Sequence, residues 1–201
     1  MTADNYDLIV KNGSVAFPDG TQETSIALKD GRFAAIGDID ETSAKQVLDA
    51  KGLTVLPGVI DTQVHFREPG NEHKEDLQSG SLAAVMGGVT ALFEMPNTKP
   101  PTTTAEAIAD KVSRGRNRMH CDFAFYVGGT HENASQLPEL EKLEGVCGVK
   151  VFMGSSTGNL LVADDDGVAD ILKHITRRAA FHSEDEFRLR ERRPLALTGK
   201  V

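Results

Sequence analysis

The sequence predicts an α/β chain, with a short β-rich segment over residues 1–52 followed by the front part of a parallel (β/α) barrel over 53–201. Three observations carry that prediction. From Leu53 onward, apolar strand-like runs recur roughly every 30 residues. Amphipathic helical stretches lie between them, the alternation that builds a parallel sheet. Polar, chemistry-bearing residues stand where each strand should end. An open sheet would satisfy the first two observations. The third favours a barrel, where function gathers at the C-terminal ends of the strands. Eight such units close into a barrel of about 250 residues, and about five strands can be counted here.

In the first fifty residues, Tyr6, Leu8 and Val10 alternate with polar neighbours before Asn12-Gly13, and Asp19-Gly20 and Asp30-Gly31 follow as further turn pairs. Such pairs tolerate the positive backbone angles of tight hairpins, so a small antiparallel sheet is expected. The apolar run Leu53 to Ile60 reads as a buried strand that ends by projecting Gln63 and His65 in the same direction. Leu77, Ser81, Ala84 and Val85 then fall at helical spacing, and Gly87-Gly88 ends that helix. Val89 to Glu94 is the second strand, and Thr103-Thr104-Ala105-Glu106 resembles a capping box opening a helix that runs to Arg116. Asp122 to Val127 is the third strand, with a short helix near Asn133 to Leu143, and Val146 to Phe152 is the fourth. Val168, Ile171, Leu172 and Ile175 stripe the next helix, and Ala179 to His182 begins a fifth strand before a basic, helix-like end.

Composition narrows the function. The net charge of −8 argues against a nucleic-acid binder, which would carry a basic face. The cluster Arg188 to Arg193 is offset by neighbouring acids and reads as a solvated helix face. No apolar run approaches the roughly 20 residues of a membrane span, and the polar start Met1-Thr2-Ala3-Asp4-Asn5 has no signal-peptide core. Cys121 and Cys147 lack a close-spaced partner and are expected as buried free thiols of a cytoplasmic protein.

The strand ends carry the chemistry. The first supplies Gln63, His65 and Arg67, the second Glu94-Met95-Pro96-Asn97-Thr98, the fourth Lys150, and the fifth His182-Ser183-Glu184. Arg67 is a planar cation suited to gripping a carboxylate with two parallel bonds. Beside a candidate metal ligand, it points to metal-assisted hydrolysis of an acidic small molecule. Lys150 sits between Val149 and Val151, where an ammonium is costly unless neutralised or paired. Addition of carbon dioxide would turn its amine into a carbamate, an anion able to bridge two metals. Taken singly, each residue also has a structural reading: His65 and His182 as satisfied interior histidines, Lys150 as a snorkelling lysine, Arg67 as half of a local pair with Glu68, Asn97 as a turn residue. Gly154 to Gly158 lacks the Gly-Lys-Ser/Thr that would make it a phosphate cradle. Convergence on the strand ends is what joins the others.

Pro57-Gly58-Val59-Ile60-Asp61 running to His65-Phe66-Arg67-Glu68-Pro69-Gly70, together with Met95-Pro96-Asn97-Thr98, Gly148-Val149-Lys150-Val151-Phe152 and His182-Ser183-Glu184-Asp185, resembles the dihydroorotase branch of the cyclic amidohydrolases. The resemblance covers essentially the whole chain but only about the first half of such a protein. It implies a metal-dependent (β/α)8 barrel, preceded by part of a small β-sandwich that the family completes with its C-terminal segment. It also implies reversible hydrolysis of dihydroorotate to N-carbamoyl-aspartate in pyrimidine biosynthesis. One or two Zn2+ ions would be held by His65, Lys150 as a carbamate, and His182, while Arg67 and Asn97 would hold the substrate carboxylate. Gln63 stands where the family most often has the first histidine of a His-x-His pair, and an amide oxygen is a poorer zinc ligand than imidazole. The first metal site is therefore expected to be weakened.

The family's sixth-strand histidine and eighth-strand aspartate, the proton shuttle, have no counterpart in these residues. The chain by itself is expected to lack appreciable activity. Its open strand edges suggest a homo-oligomer. Two alternatives stand beside this reading: another cyclic amidohydrolase (a hydantoinase or allantoinase), or a non-catalytic homologue supporting aspartate transcarbamoylase, which Gln63 motivates and the intact Lys150, His182, Arg67 and Asn97 oppose.

Overall fold

The computed structural model describes residues 5–154 and 159–199, which divide at Pro57/Gly58 into two units. The first unit is a five-stranded sheet. Strand β1 (Tyr6–Phe17) pairs antiparallel with β2 (Gly20–Lys29), which pairs antiparallel with β3 (Arg32–Gly37). β4 (Ala44–Asp49) and β5 (Thr54–Val55) lie parallel to β1, so the sheet is mixed rather than the purely antiparallel one expected. Asp30 and Gly31 take the two positive φ values, 51° and 71°, that a tight β2–β3 turn requires. Asn12-Gly13 makes no turn. The β1–β2 register slips between Val10 and Gly13 with Asn12 at φ 59°, so the pair forms a bulge inside one long strand. The buried residue of this stretch is Ile9, and the alternating Tyr6, Leu8 and Val10 lie on the half-exposed side.

The apolar run from Leu53 is not one strand. Leu56-Pro57-Gly58 interrupts it, since proline offers no ladder N–H. Thr54–Val55 consequently joins the first unit, and β6 (Val59–Val64) opens the second. Five parallel strands follow in the order β10-β9-β8-β7-β6, with β7 spanning Val89–Glu94, β8 Asp122–Gly128, β9 Val146–Phe152 and β10 Ala179–His182. This is the half-barrel the periodicity predicts. Among the described residues, β6 and β10 each pair with a single neighbour. β6 is accordingly an exposed edge rather than a buried strand, with Val59 50% and Ile60 55% exposed.

Helices α1 (Leu77–Met86), α2 (Ala105–Gly115), α3 (Leu137–Leu140) and α4 (Asp165–His174) connect the strands, and α5 (Glu186–Leu197) follows β10. Leu92, Phe125, Val127, Val149 and Val151 pack with Leu77, Ile108, Leu137 and Ile171 in one core. Full burial of each such side chain stabilises by about 1.5–3 kcal/mol. Asp76 caps α1 with its carboxylate on the Ser79 N–H at 2.7 Å. The cap of α2 is Thr104, which accepts from Ala107 N–H, one residue later than the expected box. In α4, Leu172 points outward because it lies about 100° around the helix from Ile171, whereas Val168 and Ile175 keep to the core. The arginines of α5 are exposed, with Arg190 bonded to Glu186 across one turn. No helix among the described residues is long and apolar enough to cross a membrane.

Candidate active site

Strand alternation decides which side chains leave the helix-covered core. Val149 and Val151 belong to that core, so Lys150 and Phe152 face the opposite side of β9. Register places Gly128 of β8 and Ala180 of β10 beside Lys150, and His182 beside Phe152. The His182 ring stacks on Phe152 with centroids 6.0 Å apart, and the Lys150 ammonium lies 5.0 Å from the Phe152 centroid. His182 Nε2 meets the Glu184 carboxylate at 2.7 Å. Lys150 is only 2% exposed, and no hydrogen bond or ion pair among the described residues neutralises its amine. Burial alone pushes its pKa down, the direction that favours a free, nucleophilic amine.

At the other edge, His65 Nδ1 and Asn97 Oδ1 are 2.8 Å apart. An amide oxygen only accepts, so Nδ1 carries the proton and Nε2 is left free as a ligand. Burial lowers the His65 pKa; the Asn97 bond opposes this, and the charges of Arg67, Lys150 and Lys111 add to the lowering. The lowering favours the neutral ring, the form a metal needs.

Arg67 adopts a left-handed backbone at φ 65° and is half-buried, with its guanidinium engaging no carboxylate among the described residues. The local ion pair with Glu68 does not form. Glu68 is 3% exposed and turns away to accept from both Arg118 nitrogens at 2.7 and 3.2 Å and from Leu77 N–H at 3.0 Å. Gly70 at φ 100° lies so close to the second strand's loop that a Cβ would meet Lys99 O at 2.2 Å, and Lys99 N–H bonds Pro69 O at 2.9 Å. The first and second signature loops are thus packed as one piece.

Gln63 is exposed, in a stretch where the β6–β7 ladder slips between Asp61 and Val64. No hydrogen bond joins it to His65, Lys150 or His182 among the described residues. Residues 155–158 of the glycine-rich run lie outside the described residues. Cys121 and Cys147 are free and largely but not fully buried, and the Cys147 thiol is pushed up to about 12 by that burial.

One functional-looking residue, Lys111, has no place in the strand-end reading, and Glu94 enters it only as part of the second strand end. Lys111 of α2 and Glu94 of β7 form a fully buried ion pair, and Lys111 also donates to Met95 O at 3.1 Å with its ammonium 4.8 Å from the Phe125 centroid. Lys111 recurs in the buried stripe Ile108, Lys111, Val112, Gly115, a signal legible in the sequence.

The donor set fits part of a metal centre. His65 Nε2 and the His182 ring are donor types that zinc takes, as the Lys150 amine would be once carboxylated, but no three His, Cys, Asp or Glu side chains converge among the described residues.

The parallel β/α sheet thus carries imidazole, amine, amide and guanidinium groups at the C-terminal ends of its strands. A family model described as Dihydro-orotase-like matches residues 52–148. A dihydroorotase of Methanosarcina mazei is 36% identical over 184 residues, covering 90% of this chain and 40% of that protein. An allantoinase of Bacillus licheniformis is 36% identical over 194 residues, 90% of this chain and 42% of its own length. The solved L-hydantoinase (dihydropyrimidinase) from Arthrobacter aurescens superposes with a TM-score of 0.85 at 31% identity, over 98% of this chain and 45% of that one. The chain belongs to the dihydroorotase-like family of cyclic amidohydrolases. It spans about two fifths of the length of the curated relatives it matches.

Proposed function

We propose that the protein is a dihydroorotase, interconverting dihydroorotate and N-carbamoyl-aspartate in pyrimidine biosynthesis. One observation carries the reading: Arg67 stands free of any carboxylate among the described residues, in a loop packed against the one that carries Asn97, with Asn97 bonded to His65 at 2.8 Å. An unpaired guanidinium beside a neutral imidazole suits a substrate that brings its own carboxylate. Arg67 would bind that carboxylate, and Asn97 would fix His65 with Nε2 turned outward. Lys150, whose buried amine gives up its proton more readily than a free lysine, would in its neutral form take up carbon dioxide as a carbamate, releasing one proton. His182, backed by Glu184, would complete this chain's share of the ligands. Zinc would supply Lewis acidity to the ring amide. Free thiols and an acidic composition suit a reducing, cytoplasmic compartment.

The equal identity to an allantoinase gives the second reading its weight. Turnover by the full-length protein of dihydroorotate, allantoin and a hydantoin, each with added zinc, separates them. Activity on dihydroorotate that collapses in Arg67→Met supports the proposal. Activity on allantoin or hydantoin alone refutes it, and inertness with all three despite the added zinc, in a protein that retains none of the metal, would favour the non-catalytic homologue. The 201-residue chain alone is expected to give no appreciable turnover.

A further inference from the structure

We infer that the buried Lys111–Glu94 pair is a positioning device that sets the tautomer of His65. Met95 links the two. Its carbonyl accepts from Lys111 Nζ at 3.1 Å, and its N–H donates to Val64 O at 3.0 Å, the residue immediately before His65. Two residues on, Asn97 Oδ1 receives the His65 Nδ1 proton. Lys111 therefore holds the carbonyl of the residue whose own N–H supports the His65 backbone, two residues before the Asn97 that supports its ring. Glu94 keeps the ammonium aimed there, since both side chains are at most 2% exposed and neither can turn to water. An ordinary apolar α2–β7 contact would fill the same space without fixing a carbonyl. Retaining a buried charge pair at this point is explained by the directed bond it makes.

The inference concerns the geometry of His65 and rests on the functional reading only for its purpose. Its test is accordingly read without turnover. In the native protein the Met95 amide should exchange with solvent as slowly as the core amides of Val149 and Val151; fast local exchange would overturn the inference irrespective of any variant. Nitrogen-15 NMR of the neutral His65 ring should show one protonated Nδ1 and one bare Nε2.

Replacing both partners, Lys111→Met with Glu94→Gln, leaves no unpaired charge and should fold, yet the His65 signals should move to a mixture of both tautomers. Glu94→Gln alone leaves the lysine donor without the carboxylate that aims it and should shift the signals part of the way to the mixture. A double variant that stays folded and keeps a pure Nδ1–H tautomer would sink the inference. A core truncation such as Val127→Ala, equally destabilising, should leave the tautomer unchanged; if it shifts the tautomer as much, the effect is general loosening and the inference fails. Dihydroorotase activity could be absent with all these NMR results intact, so the two readings fail separately.

Discussion

Glu68→Gln tests whether the signature loop is held by charge. The carboxylate is 3% exposed and receives two bonds from Arg118 and one from the Leu77 N–H, with Arg114 3.6 Å away. A hydrogen bond to a charged group contributes about 1.5–3 kcal/mol when buried. Arg118 is 36% and Arg114 39% exposed, so solvent screening reduces their share, and we take roughly 1 kcal/mol for both together. A glutamine oxygen still accepts from Leu77, but its NH2 faces a guanidinium with no acceptor, a buried mismatch of about 1 kcal/mol. The expected loss is about 2 kcal/mol at pH 7, or roughly 4–8 °C in melting temperature for a domain of this size. Burial would raise the Glu68 carboxyl, but Arg118, the Leu77 N–H and Arg114 together hold it below the usual range. A carboxyl depressed in the folded state gives stability that is present above its unfolded value near about 4.3 and is lost as pH falls through the folded value. Urea titrations followed by circular dichroism at several pH values should therefore show the full gap at neutrality and a closing gap in acid. Equal stability at pH 7, or a gap that persists unchanged in acid, would refute the reasoning.

Lys150→Met should stabilise the chain by roughly 1–3 kcal/mol at pH 7, because it removes a buried amine that lacks a neutralising partner among the described residues. Its folded pKa is depressed, so the native chain gains stability as pH rises from that value towards the unfolded one, and thermal melts should show the advantage of the variant shrinking towards about pH 10. Gly70→Ala should cost more than about 2 kcal/mol, since it combines a left-handed backbone with a clash on Lys99 O, whereas Gly88→Ala, with open space around it, should cost only about 1 kcal/mol. Comparison of the two melting temperatures checks both. In the full-length protein, Gln63→His should tighten zinc by about tenfold in a chelator competition; unchanged affinity would remove position 63 from the site.

The strands that face the core were legible because burial leaves them nearly continuous in apolar residues. Val89–Glu94, Val146–Phe152 and Ala179–His182 emerge with the bounds their sequences suggest. What escaped is non-local. Asn12-Gly13 has turn chemistry, yet the pairing of β1 with β2 on both sides of it makes a bulge. Glu68 reads as a neighbour of Arg67, but its partner Arg118 lies 50 residues away. Lys111 lies on an apolar helix stripe and Glu94 ends a strand, but their pairing, which is what permits both to be buried, required the fold. The strand-end residues His65, Asn97 and Lys150 could be picked out by position, but the bond between His65 and Asn97 required the fold.

The same topology explains why the donor set is partial. His65 follows β6 and His182 ends β10, the two outer strands of the sheet, four strand spacings apart. Along a flat sheet that is roughly 19 Å, far beyond any shared ion. Curvature shortens the path, and the charge of Lys150 on β9 already reaches His65. Yet β6 and β10 are each paired on one side only among the described residues, and an unpaired edge can splay at little cost in hydrogen bonds. The separation of the two histidines is therefore set by whatever pairs with those edges rather than by the five strands themselves. Metal affinity in this family member should depend on edge pairing as strongly as on ligand identity. A Gln63→His exchange in the isolated 201-residue chain should consequently restore far less zinc binding than it does in the full-length protein.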